Sequence, residues 1–119
     1  MTFELPIPPS ANQLWFNLPK EVGGGRARTK RYEDWITIAR SELRKQKARP
    51  MFGKFAVVIE INEKARLRDC DNAIKPTLDL LVFHGVLDSD AKTVVRKVSS
   101  EWVEGIEGVR VTIKPAEAA

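Results

Sequence analysis

The sequence is poor in the residues that build redox and zinc sites. It contains one cysteine, Cys70, and one histidine, His84. A single cysteine cannot form an internal disulfide bond, and one cysteine with one histidine falls short of the four ligands usual in zinc sites. We interpret Cys70 as a small buried residue and His84 as a structural residue at a helix end. Any metal ion must then be held by oxygen ligands.

The sequence also lacks long apolar stretches. The longest one falls between residues 78 and 84 and is interrupted by Asp79, whereas a helix that crosses a bilayer needs about 20 apolar residues. Met1 leads directly into a strand-like segment instead of the basic and apolar regions of a signal peptide. We therefore expect a cytoplasmic protein that does not enter membranes.

The composition is that of a folded domain. Hydrophobic residues make up 43% and charged residues 30% of the chain, as is typical of globular proteins and not of disordered ones. A length of 119 residues is enough for one core of ordinary density but not for two. We interpret residues 1–119 as a single domain with one functional site.

The charges are unevenly distributed along the chain. Between residues 20 and 49 there are ten lysines and arginines against four acids, a net charge of +6. Between residues 69 and 90 there are five aspartates against one lysine, a net charge of −4. A basic region beside an acidic one suggests that the first binds a polyanion and the second acts on it. The alternative is that the cations only form a solvated helix face.

Hydrophobic periodicity predicts an α+β fold. The predicted strands span residues 2–7, 55–63, 94–103 and 108–114, and the predicted helices span 29–48 and the segment from about 72 to 83. Residues 10–16 are predicted to be irregular. The glycines at 23–25 are predicted to form a mobile loop that carries the cations of 26–31. Residues 115–119 are predicted to be frayed. Pro76 predicts one of two arrangements: either Pro76 lies in the first turn of the second helix, or the helix is kinked at this residue. The order predicts two layers, a mixed sheet of about four strands with two helices on one face.

Clustered aspartates with one lysine form the strongest candidate for a chemical site. Asp69 and Asp71 lie two residues apart at the end of an extended segment. The period of two in a strand predicts that their side chains point the same way. Lys75 and Asp79 follow at helical spacing, which carries Lys75 beside Asp71.

The loop after the second helix supplies two more carboxylates, Asp88 and Asp90. A strand, a helix and a loop can return to the end of the strand they left, so carboxylates from both segments can meet. This is the oxygen-rich arrangement that Mg²⁺ prefers. In the structural alternative, Asp71 or Asn72 caps the helix and the other aspartates pair with Lys75 or occupy turns. The residues alone leave both interpretations open.

The acidic region resembles the core motif of the RusA-type Holliday-junction resolvases, endodeoxyribonucleases of bacteria and their phages. The matching residues are RDCDNAIK at 68–75, followed by Asp79, by GVL at 85–87 and by Asp90. The segments LPIPPSANQ at 5–13 and RARTKRY at 26–32 are similar to the family's N-terminal motifs. The resemblance covers most of the chain. It implies a small α+β homodimer that binds four-way DNA junctions in recombination and repair and cuts two opposing strands with Mg²⁺ or Mn²⁺.

Carried over by position, the resemblance implies that Asp69, Asp71 and Asp90 bind the metal and that Lys75 is the essential lysine. The family's acidic turn departs here, because serine stands in place of its first acid. Asp88, one residue earlier, is therefore a candidate substitute ligand.

The cations near the glycine run are predicted to contact DNA. We expect Arg26, Arg28, Lys30 and Arg31 to bind backbone phosphates without reading bases. Two other functions share the same residues: a non-catalytic nucleic-acid-binding module of this fold, and a nuclease acting on other branched DNA.

Overall fold

The computed structural model describes residues 1–116 and contains, within them, six strands and two helices. The strands are β1 (Thr2–Leu5), β2 (Trp15–Asn17), β3 (Arg26–Arg28), β4 (Phe55–Asn62), β5 (Val95–Val103) and β6 (Val109–Pro115), and the helices are α1 (Lys30–Lys45) and α2 (Ile74–Phe83). Short 3₁₀ turns occur at Ala11–Gln13, Lys20–Val22 and Cys70–Ala73.

Four strands form a mixed sheet in the order β1-β6-β4-β5. The central strand β4 runs antiparallel to β6 and parallel to β5, and β1 runs antiparallel to β6. Parallel neighbours need a crossover connection, and the segment containing α2 supplies it. Although β5 and β6 are consecutive, β4 lies between them, so the turn that joins them is not a hairpin. The predicted mixed four-stranded α+β fold is confirmed.

One face of the sheet forms the core. Side chains at alternate positions of β4 are buried, and Ile59 lies beside Val111 of β6, which in turn pairs with Phe3 of β1. The buried stripes of the helices join the same apolar cluster, with Tyr32, Trp35, Ile36, Ala39 and Leu43 from α1 and Leu78, Leu80 and Leu81 from α2. Both helices therefore contribute to a single core on one side of the sheet.

Helix α1 is shorter than the predicted span of 29–48. Thr29 is its N-cap, and the Thr29 side chain accepts a hydrogen bond from the backbone N–H of Tyr32 at 3.2 Å. The helix ends at Lys45, and Lys47 has a φ of 59°. A residue with positive φ cannot continue a right-handed helix, which explains the earlier end.

The segments predicted to be irregular or mobile contain a small hairpin. Strand β2 pairs antiparallel with β3, so that Trp15 lies opposite Arg28 and Asn17 opposite Arg26. Residues 23–25, the three glycines, have φ values of 105°, 67° and 81°, a backbone region that glycine enters without steric cost. The glycines therefore shape the connection between two strands. The prediction that Arg26 and Arg28 belong to a mobile loop was wrong.

Helix α2 carries Pro76 in its first turn. The N–H groups of the first turn have no acceptor within a helix, so proline removes no hydrogen bond there. This confirms the first of the two predicted placements. Gly85 follows the helix with a φ of 86°, as expected for a glycine at a helix C-terminus.

Two further findings concern the length of the helices and the C-terminal segment. No helix in residues 1–116 is long and apolar enough to span a bilayer. Of the segment predicted to be frayed, Pro115 belongs to β6, and residues 117–119 lie outside the part of the chain that the structure describes.

Candidate active site

The acidic site begins where the chain enters α2. Asp69 is extended, with φ −131° and ψ 146°, and Cys70–Ala73 form a 3₁₀ turn. Cys70 attaches this turn to the sheet, because its Sγ donates to the carbonyl of Ser100 on β5 at 3.6 Å. Asp71 therefore lies inside a four-residue 3₁₀ turn, and the alternation of a strand does not set its direction. The predicted reason for Asp69 and Asp71 pointing the same way does not apply.

The side chains of Asp69 and Asp71 are exposed and have no hydrogen-bond or ion-pair partner among residues 1–116. Asp69 occupies the N-cap of the 3₁₀ turn, but its carboxylate accepts no capping hydrogen bond. The residue before α2 is Ala73, which has no side-chain acceptor. Within residues 1–116, no side-chain hydrogen bond or salt bridge involves Asp71 or Asn72. The capping role required by the structural alternative is not found there, and the carboxylate oxygens remain available to an external ligand.

Lys75 joins the helix to the loop that follows it. Its Nζ lies 3.1 Å from Oδ1 of Asp79, one turn along α2, and 4.0 Å from Oδ2 of Asp90. The loop thus brings Asp90 to Lys75, while its predicted meeting with Asp69 and Asp71 at the end of the strand stays a prediction. The Lys75 side chain is 59% exposed, so water screens both ion pairs and their contribution to stability is small. Their main effect is to hold the ammonium group of Lys75 near Asp79 and Asp90.

The turn between α2 and β5 leaves its acids free of turn-forming hydrogen bonds. The hydroxyl of Ser89 accepts the backbone N–H of Ala91 at 2.9 Å, and the neighbouring Asp88 and Asp90 are exposed. Ser89, which stands where the family has its first acid, therefore supplies a hydrogen bond that closes this turn.

Carboxylate oxygens are the donors that Mg²⁺ and Mn²⁺ prefer, so the donor chemistry fits such an ion. Residues 1–116 nevertheless contain no three acidic, histidine or cysteine side chains gathered closely enough to hold one. Mg²⁺ is commonly bound by only one or two carboxylates together with water and substrate phosphates. Asp69 and Asp71 are both exposed and supply two carboxylates of this kind.

The two strand cations lie against an aromatic ring. The guanidinium carbon of Arg26 lies 5.2 Å from the ring centroid of Trp15, and that of Arg28 lies 6.0 Å from it. A ring face attracts a guanidinium group and leaves its N–H edge free to donate to another acceptor.

The two helix cations occupy the first turn of α1, where positive charge opposes the helix dipole. Lys30 is fully solvent-exposed and pairs with Asp34 at 2.8 Å, and this hydrogen bond raises the pKa of Lys30. Arg31 is exposed and forms no salt bridge within residues 1–116. An unfavourable position for two cations on a helix suggests that they serve binding and not stability.

A second group of residues was missed by the sequence analysis. The guanidinium carbons of Arg28 and Arg40 lie 5.1 Å and 4.8 Å from the ring centroid of Phe83. The Nε–H of Arg40 donates to Nδ1 of His84 at 3.1 Å. We call Arg28, Arg40, Arg44 and Phe83 the arginine pocket. His84 is structural, as predicted.

The acidic and cationic groups share one face of α2. Lys75, Asp79 and Phe83 follow one another at intervals of four residues, so they face the same side of the helix. The pKa of Tyr32 is raised to about 12, first by burial and then by the charge of Asp79, while the charge of Arg28 acts in the opposite direction. Both charges therefore act on the same phenol. The spacing of four was the sequence signal that could have identified Phe83.

A comparison with protein-family models identifies the family of this chain. The family model for endodeoxyribonuclease RusA matches residues 6–114 of the 119-residue chain. Because the match spans both helices and every predicted site residue, the chain belongs to the RusA endodeoxyribonuclease family. A search among curated proteins gave no significant match. The family defines the class of protein as an endonuclease acting on DNA.

Proposed function

We propose that this protein is a metal-dependent endonuclease that resolves four-way DNA junctions by paired symmetric nicks in recombination and repair. The observation that carries the proposal is the family match over residues 6–114. The exposed carboxylates near Lys75 and the cations of the hairpin support it, because they provide separate groups for cutting and for holding a polyanion.

Asp69, Asp71 and Asp90 would hold Mg²⁺ or Mn²⁺, with Asp88 as the alternative third ligand. When bound, the ion polarises the scissile phosphate and lowers the pKa of a water molecule. The chain then needs no histidine base. This agrees with the position of its single histidine, whose Nδ1 is already bonded to Arg40.

Lys75 would offset the negative charge that develops on the phosphate during cleavage. Asp79 and Asp90 hold its ammonium group at 3.1 Å and 4.0 Å. These exposed pairs are weak, so the lysine can exchange a carboxylate for a phosphate oxygen at little cost.

The proposed assembly is a homodimer, because two opposed nicks in a junction of approximate two-fold symmetry need two active sites related by that symmetry. The proposed location is the cytoplasm of a bacterial cell, with a host or a phage gene as the source. Sedimentation at micromolar concentration should give twice the 13.4 kDa chain mass. A monomer that still cuts symmetrically would contradict the dimer.

The experiment compares binding and cleavage of a labelled four-way junction and a labelled flapped duplex by wild type, Asp71→Asn and Glu104→Gln, each with Mg²⁺, with Mn²⁺ and with EDTA. Asp71→Asn keeps the side-chain shape and removes the charge, so we expect cleavage to fall by orders of magnitude while junction affinity stays equal or becomes tighter. Glu104 is an exposed acid outside the site and serves as the matched control.

Three outcomes are informative. Wild type that binds the junction but never cuts it with either metal would indicate a non-catalytic binding module. Equal cutting of junctions and of flapped duplexes would indicate a nuclease for branched DNA in general. Normal cleavage by Asp71→Asn would show that the carboxylate of Asp71 has no part in the mechanism.

A further inference from the structure

We infer that the arginine pocket binds one internal phosphodiester of the DNA, a few nucleotides away from the phosphate that is cut. The inference rests on the proposed DNA substrate and adds a second phosphate site to it. This site lies on the opposite end of the same α2 face from Lys75.

The charge of the pocket calls for an anion. A cavity of about 280 Å³ lies between α1 and α2, and its polar lining consists of three arginines, Glu33 and Thr37. Within residues 1–116, none of Arg28, Arg40 and Arg44 forms a salt bridge. Guanidinium groups repel one another at short range. A phosphodiester would compensate this charge with oxygens that suit the planar donors of arginine.

The ring of Phe83 holds two of these guanidinium groups in advance. It lies within about 5 Å of both Arg28 and Arg40, at 5.1 Å and 4.8 Å, while 50% of the residue remains exposed. A guanidinium against a ring loses conformational freedom before the ligand arrives, so less entropy is lost on binding. A stacked base would have to displace these groups from the ring, whereas a phosphate uses them in place. The geometry therefore favours phosphate as the occupant.

His84 fixes the orientation of Arg40. The bond from Arg40 Nε to His84 Nδ1 is 3.1 Å long, so the neutral imidazole carries its proton on Nε2. Burial, followed by the charges of Arg40 and Arg44, lowers the pKa of His84. The ring thus remains an acceptor, and the outer nitrogens of Arg40 stay free for a ligand.

The position along α2 gives the spacing on DNA. Phe83 lies eight residues after Lys75 in the same helix, which corresponds to about 12 Å at 1.5 Å per residue. One strand of B-DNA rises about 3.4 Å per nucleotide. The second phosphate is therefore a few nucleotides from the one beside Lys75.

The first test measures junction affinity by gel shift in EDTA, where no cleavage is needed. Arg40→Gln should weaken binding roughly tenfold, because it removes hydrogen bonds to a charged group, and should reduce the salt slope by about 1. Phe83→Leu keeps every charge and should weaken binding about threefold with the salt slope unchanged. Arg49→Gln and Phe52→Leu are the controls, since both residues are exposed and Phe52 is 84% exposed.

The second test places a single neutral methylphosphonate at successive positions of one strand. Wild type should lose affinity at one position a few nucleotides from the cut, and Arg40→Gln should lose that sensitivity at this position alone. Equal sensitivity of both proteins at every position, or equal affinity of Arg40→Gln and Arg49→Gln, would overturn the inference. Absence of DNA binding by wild type would instead overturn the proposed function.

Discussion

The acidic and cationic regions differ in what their charges contact. Asp69 and Asp71 are exposed without intramolecular partners, and Lys75 is the one cation within hydrogen-bonding or ion-pair distance of the acids around α2 in residues 1–116. Arg26 and Arg28 of the hairpin and Arg40 of α1 lie instead against aromatic rings. The carboxylates are therefore left available to a cation, whereas the guanidinium groups are held in place for an anion.

This difference suggests that cutting and binding can be separated by mutation. Clustered carboxylates repel a phosphate in the absence of a metal ion, so they contribute nothing favourable to DNA affinity by themselves. The arginines held on rings are proposed to contribute to DNA affinity and not to the cleavage step. Changes in the acidic region should therefore act on the rate of cleavage, and changes in the cationic region on the dissociation constant.

The largest effect is expected from Lys75→Met. The substitution removes the cation proposed to stabilise the transition state, and cleavage should fall by about 10²- to 10³-fold. Because the ion pairs with Asp79 and Asp90 are largely exposed, unfolding free energy should change by less than about 1 kcal/mol. Single-turnover cleavage and urea denaturation of the same preparations measure both quantities. Lys92→Met, an exposed lysine near the same turn, should behave as wild type.

A similar loss of cleavage in Lys92→Met would show that charge near the turn matters in general and that Lys75 has no special position. Loss of junction affinity in Lys75→Met, with cleavage of the bound fraction unchanged, would contradict the separation of cutting from binding.

The second effect is expected from neutralising Arg26, Arg28, Lys30 and Arg31 together. Each phosphate contact contributes about 0.9 to the dependence of log affinity on log salt for B-DNA. The salt slope should therefore fall by about 2 to 4, and cleavage of saturated junction should be retained. Paired variants would divide the effect between β3 and the first turn of α1. An unchanged slope in gel shifts from low to moderate salt would assign these cations to the solvated surface.

The sequence was sufficient for the elements whose apolar periodicity is strong. The alternation in β4 and the stripe of α1 predicted the correct strand, the correct helix and the core face. Local turn chemistry was harder to predict, because three consecutive glycines fit a mobile loop and a hairpin connection equally well. Only the pairing of Trp15 with Arg28 distinguishes the two.

The candidate site shows a similar limit. The motif at 68–75 predicted Asp69, Asp71 and Lys75 as site residues, but it did not predict the 3₁₀ turn at Cys70–Ala73 that contains Asp71. The arginine pocket depends on contacts between distant segments, since Arg40 and His84 are 44 residues apart in sequence. Such contacts have no local signal beyond the spacing of Phe83 on α2.

A third and smaller effect concerns the buried side of α2. The charged groups on the outer face of this helix are open to water, whereas the hydroxyl of Thr77 is fully buried and has no hydrogen-bond partner among residues 1–116. A buried polar group without a partner costs about 1 to 3 kcal/mol. Thr77→Val should therefore raise the unfolding free energy by about 1 kcal/mol and leave cleavage unchanged.

Thr37→Val is the matched control, because the Thr37 hydroxyl donates to the Glu33 carbonyl in α1 at 3.1 Å and is exposed. It should shift stability by no more than about 0.5 kcal/mol. A Thr77→Val protein less stable than wild type would show that the hydroxyl is satisfied in solution.

The smallest effect is expected from the pH dependence that His84 gives to the cationic region. Its pKa is lowered from the ordinary 6.5 by burial and by Arg40 and Arg44. Between these two pKa values the unfolded chain binds a proton that the folded chain does not, so the stability linked to His84 rises with pH in this window. It is complete above about pH 6.5 and is lost as the pH falls below that value. His84→Gln retains an acceptor for Arg40 without titrating.

The measurement is the difference in unfolding free energy between wild type and His84→Gln at intervals from pH 7.5 to 5. Subtraction removes the contribution of the acids that both proteins share. Wild type should lose stability relative to the variant as the pH falls. Because Glu33 lines the same cavity, the series is repeated in a Glu33→Gln background. A flat difference in both backgrounds would show that His84 titrates alike in the folded and unfolded chain. The bond to Arg40 would then not keep the imidazole neutral, and the orientation of the arginine pocket would have to come from the ring of Phe83 alone.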